Sequence, residues 1–471
     1  MTDLQRAMAA GVARAVDDGA LRGLKEQLRG DLVTPDDPRY GEARKVYNGM
    51  HDRRPSSIVR AADVADVMAT VRFARERGVT LAVRGGGHSA PGFGTVDGGM
   101  VLDLGRLRGI RVDAARRRVR VEGGSTWSDV DHATHAFGLA VPAGIVSTTG
   151  VGGLTLGGGM GYLSRRCGLT VDNLLEADVV TANGELITCN EKTEPDLFWA
   201  LRGGGGNFGV VTSFEYRLHP IREIYGGPTF YALDGSVLRA WRDFIVKAPA
   251  KLGALCGLTL APPLPFLPTE WHGKPVAAVI ACWSGPIEEG PKRLGRLAKW
   301  GKVVGSFVGP MPYPAINQLF NDLLPPGLQQ YWKGSFAREI SDGAIDAHVE
   351  HARATPTIES SAIIYPLDGA CQRVGAEATA YPYRDATFST VIAGAWHNRA
   401  DSERNIRWVR GYFDALRPYS EDGGYVNFMG PEDQDRAPVN YRQNYDRLRR
   451  IKSRYDPGNL FRVNHNVPPG A

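Results

Sequence analysis

The spacing of apolar residues changes several times along this chain, and each change predicts an element. Near the start, Leu4, Met8, Val12 and Val16 recur at helical spacing. From Pro55 the pattern becomes strand, helix, strand. Residues 57–60 read as extended, and Asp63 can cap a helix. That helix presents Val64, Val67, Met68, Val71 and Ala74 on one side and stops at Gly78. The apolar run 79–83 is the next strand, and it ends in Arg84-Gly85-Gly86-Gly87-His88-Ser89. Residues 100–104, 110–112 and 119–121 read as further strands, and 129–137 as a short helix. Glycine-dense stretches at 150–161 and 203–209 follow. After the second, Val210, Thr212, Phe214, Tyr216 and Leu218 alternate with other residues, as one face of a strand requires.

Past His219-Pro220 the chain has fewer glycine clusters and more prolines and aromatics, among them Trp241, Trp271, Trp283, Trp300, Trp332 and Trp396. Pro262, Pro263, Pro265 and Pro268 read as a rigid surface connection. Near the end Tyr441, Tyr445, Leu448, Ile451 and Tyr455 share one helical face, closed by the turn residues Asp456-Pro457-Gly458-Asn459.

Composition narrows the classes. With 471 residues the chain exceeds one ordinary core. Its 58 glycines are clustered rather than periodic, which favours cofactor loops over a collagen-like or disordered chain. The net charge of +5 is small for this length, and the basic runs are broken by apolar residues, so a nucleic-acid groove is not expected. Five dispersed cysteines form no C-x-x-C pair and no metal-ligand spacing, which fits a reducing cytoplasm and no bound metal. No apolar run is long enough to cross a bilayer, and the start lacks a signal-peptide core. The expectation is a cytoplasmic monomer or homodimer.

The chemistry concentrates at residues 84–89. Three consecutive glycines leave bare backbone N–H groups that can close on a pyrophosphate, and a nucleophilic imidazole follows at once. Gly204-x-Gly206-x-x-Gly209 matches the dinucleotide fingerprint, but a strand follows it instead of a helix, and no acidic residue stands at the ribose-binding distance. A Rossmann unit is therefore excluded. Three glycine loops separated by strands point to a cradle built from several backbone segments.

Four motifs in order resemble one family. They are residues 84–89; the 152–161 region followed by Cys167-Gly168-Leu169-Thr170-Val171-Asp172-Asn173; Asp196-Leu197-Phe198-Trp199-Ala200-Leu201-Arg202-Gly203; and the tail Tyr455-Asp456-Pro457-Gly458-Asn459-Leu460-Phe461 through Asn466. Together they are similar to the FAD-linked oxidases of the vanillyl-alcohol oxidase (p-cresol methylhydroxylase) superfamily, with a berberine-bridge-enzyme-like tail. The resemblance spans nearly the whole chain. It implies an α+β fold: an FAD-binding domain of two α+β subdomains over 1–220, a substrate domain with an antiparallel sheet flanked by helices over 221–422, and a segment over 423–471 returning to the first domain. It implies FAD, held by Arg84, Gly85, Gly86, Gly87, His88, Ser89, Gly144, Ser147, Thr148, Gly152, Gly153, Gly157, Gly159, Gly161, Tyr162, Val210, Asn464 and Asn466. His88 would bond the flavin 8α carbon; the alternative is a histidine that only hydrogen-bonds the cofactor.

Departures from the family pattern sharpen this. Where many relatives carry a second anchoring cysteine, this chain has Val146, so attachment through His88 alone is expected. Cys167 reads as a small buried or lining thiol. The family's Tyr-x-Asn-Tyr appears as Tyr425-Val426-Asn427-Phe428, and the acid or amide assisting it in relatives falls near Val391. Tyr425 remains the candidate base, although a phenol needs help to act as one at neutral pH. Thr149 matches the position facing the flavin, where a small side chain leaves room for oxygen. The expected activity is an oxidase that takes a hydride from a small aromatic or polycyclic substrate and passes electrons to O2, releasing H2O2. Tyr381, Tyr383, Trp396 and Tyr425 are the candidate stacking residues. An oxygenase acting on a polyketide-like substrate is an alternative, weakened by Ala362 where one such enzyme carries glutamate. A carbohydrate or alcohol oxidase and a non-catalytic flavin carrier are the others.

Overall fold

The computed structural model describes residues 17 to 470, so the helix expected from Leu4 to Val16 lies outside the described residues. The first sheet runs in the order Asp31–Val33, Ser57–Arg60, Met100–Asp103, Leu81–Arg84, and its last three strands are parallel. Parallel strands need a crossover, and the helix Val64–Arg77 supplies the one from Ser57–Arg60 to Leu81–Arg84, leaving room for Met100–Asp103 between them. The Asp63 carboxylate accepts the Asp66 N–H at 3.1 Å at one end, and Gly78 closes the other. Val67, Val71 and Ala74 are buried against the sheet. This unit fixes the strand Leu81–Arg84, and the glycine–histidine loop follows directly at its carboxyl end.

The second sheet is antiparallel, in the order Ile110–Asp113, Arg118–Glu122, Val210–Arg217, Leu174–Val180, Leu186–Asn190. Phe214 and Tyr216, two residues apart on one strand, both enter a core with Trp127, Phe198 and Leu448. The helix expected over 129–137 is found at Trp127–His135. Asp129 accepts the Thr126 N–H at 2.8 Å, and that reciprocal cap places Asp129 inside the first turn.

The third sheet has eight strands, all antiparallel: Val303–Ser306, Glu223–Ala232, Pro275–Trp283, Leu252–Leu260, Ser361–Pro366, Phe388–Trp396 and Gln329–Ala337, with Gly309–Pro312 also pairing along Glu223–Ala232. Both faces are covered, so its strands are apolar throughout and the pleat alone sorts their residues. Ala277, Val279, Ala362, Ile364 and Trp396 face the helices Gly235–Ile245, Asp342–Arg353 and Ser402–Leu416. Ala278, Ile280, Ile363, Tyr365 and Val391 face the other way. Ala362 is thus on the helix side, and its neighbours Ser361 and Ile363 are the ones that reach the cavity described below.

The C-terminal helix is Tyr445–Tyr455, with Leu448, Ile451 and Tyr455 buried against the second sheet's core. Tyr441 does not belong to it. It ends a separate helix, Ala437–Tyr441, because Arg442 takes a φ of 47° while its guanidinium is drawn onto Glu421 and Asp385. Lys452 and Asp456 form a fully buried ion pair at 2.7 Å. The Lys452 ammonium also donates to the carbonyls of Asn207 (2.7 Å) and Phe461 (2.9 Å). All three ammonium hydrogens are therefore used, and the helix is fastened to two loops at once. Among the described residues no helix is long and apolar enough to cross a membrane.

Candidate active site

Where the three sheets meet, the fold encloses a cavity of about 770 Å³. Its wall is assembled from the residue 83–94 loop, the segment 144–156, the loop 205–211, the tail 461–465 and the inward face of the eight-stranded sheet. Two glycine loops meet on one side with bare backbone against bare backbone. A Cβ on Gly86 would lie 2.5 Å from the Gly150 nitrogen, and one on Gly150 would lie 2.4 Å from the Gly86 nitrogen. No side chain fits at either position.

His88 follows directly. Gly87 adopts a φ of 70°, which turns the chain so that the imidazole enters the wall. Thr148 Oγ1 stands 3.2 Å from its Nε2 and Thr149 Oγ1 3.4 Å from its Nδ1. Tyr47 lies flat on the ring, with centroids 3.7 Å apart and planes 17° from parallel. Burial pushes the imidazole pKa down to about 4, against a weaker upward pull from the Thr148 backbone. At neutral pH the ring is uncharged, and a nitrogen lone pair is available as a nucleophile.

Of the residues expected at the cofactor, Gly85, Gly86, Gly87, His88, Ser89, Gly144, Thr149, Gly152, Gly153, Val210 and Asn464 line the cavity. Arg84 lines it only with its stem. Its guanidinium turns away to Asp103 at 3.0 Å and to the carbonyls of Ala43 and Lys45, so it carries no free charge to a phosphate. Seven others lie off the wall. The Ser147 hydroxyl is taken by Asn321, and Thr148 stands behind His88. Gly157 packs on Asn427, Gly159 on Thr170, and Gly161 on the Ala143 carbonyl. Tyr162 is buried in the core beneath the large sheet. Asn466 sits just beyond the wall with a buried, unpaired Oδ1.

The second half of the cavity is mostly apolar, with Thr259, Asp322, Gln330, Glu359 and Ser361 as its polar members. Phe230, Phe266, Phe320, Ile280, Ile363 and Val391 contribute to it, together with Trp332, Tyr365, Tyr425 and Phe428. Pro262 and Pro263 line it as well, so the proline run is part of the cavity wall and not a plain surface connection. Three expected stacking residues are elsewhere. Trp396 faces the helix layer, where its indole N–H donates to Ser402. Tyr381 and Tyr383 form an aromatic layer behind Tyr425, with Tyr383 stacked on Phe336 at 3.9 Å.

Tyr425 does reach the wall. Its phenol oxygen accepts the Gly159 N–H at 2.7 Å and the Asn427 side-chain N–H at 2.9 Å. Burial pushes the phenol pKa up to about 12 despite those two donors, and no charged side chain contributes to the shift. Cys167 is not on the wall, and burial raises its thiol to about 11. Val146 is on the wall, so the site has an apolar side chain where a second nucleophile would stand.

Gly205, Gly206, Asn207 and Gly209, from the third glycine loop expected in a multi-segment cradle, line the cavity although their fingerprint is not a Rossmann one. Two lining groups were not singled out in the sequence, Phe93 and His465. Phe93 packs edge-on against His465 at 5.0 Å. Burial holds His465 down near a pKa of about 4, and neither of its ring nitrogens has a hydrogen-bond partner of good geometry. With Asn464 Oδ1 and Asn466 Oδ1, these form a row of buried polar atoms without partners beside the glycine cradle. Buried polar atoms are ordinarily paired, so this wall is built for a polar ligand. A dinucleotide fits it: bare glycine backbone for the phosphates and unpaired amide oxygens for a polar ring edge.

Comparison with known proteins agrees. A family model described as an FAD binding domain matches residues 55–190, and one described as berberine and berberine-like matches residues 424–468. The FAD-linked oxidoreductase YgaK of Bacillus subtilis is 32% identical over 94% of this chain and 98% of its own. The (R)-6-hydroxynicotine oxidase of Paenarthrobacter nicotinovorans is 30% identical over 94% of this chain and 97% of its own. The crystal structure of 6-hydroxy-D-nicotine oxidase from Arthrobacter nicotinovorans superposes with a TM-score of 0.84 at 27% identity, covering 94% of this chain and 98% of that one. Fold, cavity and relatives converge, and the chain belongs to the FAD-linked oxidoreductases with a berberine-bridge-like C-terminal segment.

Proposed function

We propose that this oxidoreductase carries FAD covalently on His88 alone and oxidises a small, lipophilic, ring-bearing substrate with O2 as the final acceptor. The observation that carries the reading is the neutral His88 imidazole set in the wall between the glycine cradle and an apolar chamber. The glycine segments at 85–87, 152–153 and 205–206 would hold the phosphates, and Asn464 and His465 a polar edge of the cofactor. FAD supplies the hydride acceptor and its reoxidation by O2. The side chains bind, orient and exclude water.

The mostly apolar lining favours one class of substrate. A carbohydrate would leave its hydroxyls unpaired against Phe230, Ile280, Ile363 and Val391, at a cost of roughly 1–3 kcal/mol each. A flat or polycyclic ring loses nothing there. The relative named (R)-6-hydroxynicotine oxidase acts on a compound of that general kind.

Tyr425 holds a proton and does not abstract one, since its phenol stays protonated up to about pH 12. The substrate must then supply its own electron push, as a neutral amine or an ionised phenol does. Tyr425→Phe is accordingly expected to lower kcat by less than about tenfold, well short of the ~10²–10⁴ that a general base contributes. A larger drop, with loss of an ionisation in the pH–rate profile, would reinstate Tyr425 as the base.

The reading as a whole is tested by acid precipitation. The wild-type pellet should stay yellow and its protein mass should exceed the chain by one FAD, whereas His88→Ala should release all flavin to the supernatant. Colourless wild-type pellets would rule out the attachment. Oxygen uptake without peroxide release would rule out the simple oxidase.

A further inference from the structure

We propose that Tyr47 is a positioning residue for covalent attachment of the cofactor, holding the His88 imidazole flat so that it cannot turn out of line with the carbon it must bond. The inference rests on the reading that His88 is the attachment point.

The two hydroxyl contacts to His88 are long, 3.2 Å at Nε2 and 3.4 Å at Nδ1, and both lie at the ring's edge. The torsion that rotates an imidazole about its own axis is broad, so edge contacts of that length leave the plane loosely fixed. Tyr47 supplies the missing restraint. Its ring covers the imidazole face at 3.7 Å and 17°. Tyr47 is itself held at three points: its N–H donates to the Gly87 carbonyl (3.1 Å), its carbonyl accepts the Gly327 N–H (2.9 Å), and its hydroxyl donates to the Leu324 carbonyl. Leu324 lines the cavity from the substrate side. The stack therefore fixes His88 against both the cradle and the substrate domain, and Tyr47 is only 7% exposed.

The attachment step forms one bond, between an imidazole nitrogen and the flavin's methyl carbon. One proton leaves that carbon and one leaves the imidazole. The electron pair of the broken C–H bond passes into the flavin, and dioxygen removes it, taking up both protons as hydrogen peroxide. Such a step depends steeply on alignment of the attacking lone pair.

The test follows flavin retention in the acid pellet over time for wild type, Tyr47→Phe and Tyr47→Met, each purified with FAD and incubated with excess FAD in air. Wild type and Tyr47→Phe should attach flavin at similar rates. Tyr47→Met should bind FAD reversibly but attach it at least about tenfold more slowly. Attachment by folded Tyr47→Met at the wild-type rate would overturn the proposal. Release of all flavin from the wild type would instead sink the attachment reading beneath it. If Tyr47→Met does not fold, the imidazole proton signals of His88 in the wild-type protein decide, assigned by their loss in His88→Gln. A ring-current shift upfield supports the stack, and unshifted signals overturn it.

Discussion

Replacing Lys452 with methionine is expected to cost the fold about 3–5 kcal/mol, because it strands a carboxylate in the interior. Lys452 and Asp456 are both without solvent exposure. The carboxylate keeps the backbone N–H groups of Leu460 and Phe461, at 2.8 and 2.9 Å, but loses its counter-charge. The carbonyls of Asn207 and Phe461 lose a charged donor as well. Two walls of the cofactor cavity then separate, so reversible FAD affinity should fall together with stability. The double variant Lys452→Met/Asp456→Leu should recover part of the loss, since an apolar pair removes the buried charge. Recovery stays partial because the Leu460 and Phe461 N–H groups are left unpaired. Urea unfolding measures both. A loss under about 1 kcal/mol for the single variant would show that the buried pair is not holding the walls.

The second large effect is acid lability. His348 and His465 are almost wholly buried, and burial lowers their pKa values from 6.5 to about 3 and about 4. Burial lowers His219 to about 4 in the same way. As pH falls through 6.5 the unfolded chain takes up protons that the folded chain refuses, so stability declines from there towards about pH 4. Full protonation of each fully buried histidine is worth on the order of 3–5 kcal/mol. Asp131 acts in the opposite sense. Burial raises its pKa to about 7, partly offset by the Asn317 amide, so the folded state takes its proton first and gains stability over the range from about 7 to 3.8. These three histidines, joined by His88 at about 4, outweigh one aspartate. The Tm should fall steadily between pH 6.5 and 4.5, before most carboxylates titrate, and His348→Gln should flatten part of that fall. A Tm independent of pH over this range would contradict the burial of these rings.

Local chemistry was readable from the residues alone. The helix Val64–Arg77 carries its cap, its apolar stripe and its stop within one short window, and the loop that follows needed only its own glycines and histidine to suggest a cofactor anchor. What sequence could not supply was the parity of the large sheet. Ala362 and Ile363 differ by one position and point to opposite layers, both apolar, so no hydrophobic pattern distinguishes them. Trp396 was misjudged for the same reason. The prolines at 262 and 263 carry turn chemistry wherever they stand, and only the opposing strands make them a cavity wall. Tyr47 and His465 owe their roles to partners distant in the chain, and nothing in their immediate neighbours marks them. Arg84 lines the cavity as expected, but its charge was not placed by the sequence: the half-buried Asp103 on the adjacent strand holds the guanidinium.

The ammonium of Lys452 also joins parts of the pocket that lie far apart in the order of synthesis. The cradle loops at 85–87, 150–153 and 205–209 precede the eight-stranded sheet in the chain, whereas the wall at 461–465 follows every one of its strands. A nascent chain emerging from the ribosome can therefore complete each sheet while the flavin pocket still lacks a side. A chain ending just before Phe461 is therefore expected to hold FAD more weakly than the full chain, because one side of the pocket is missing.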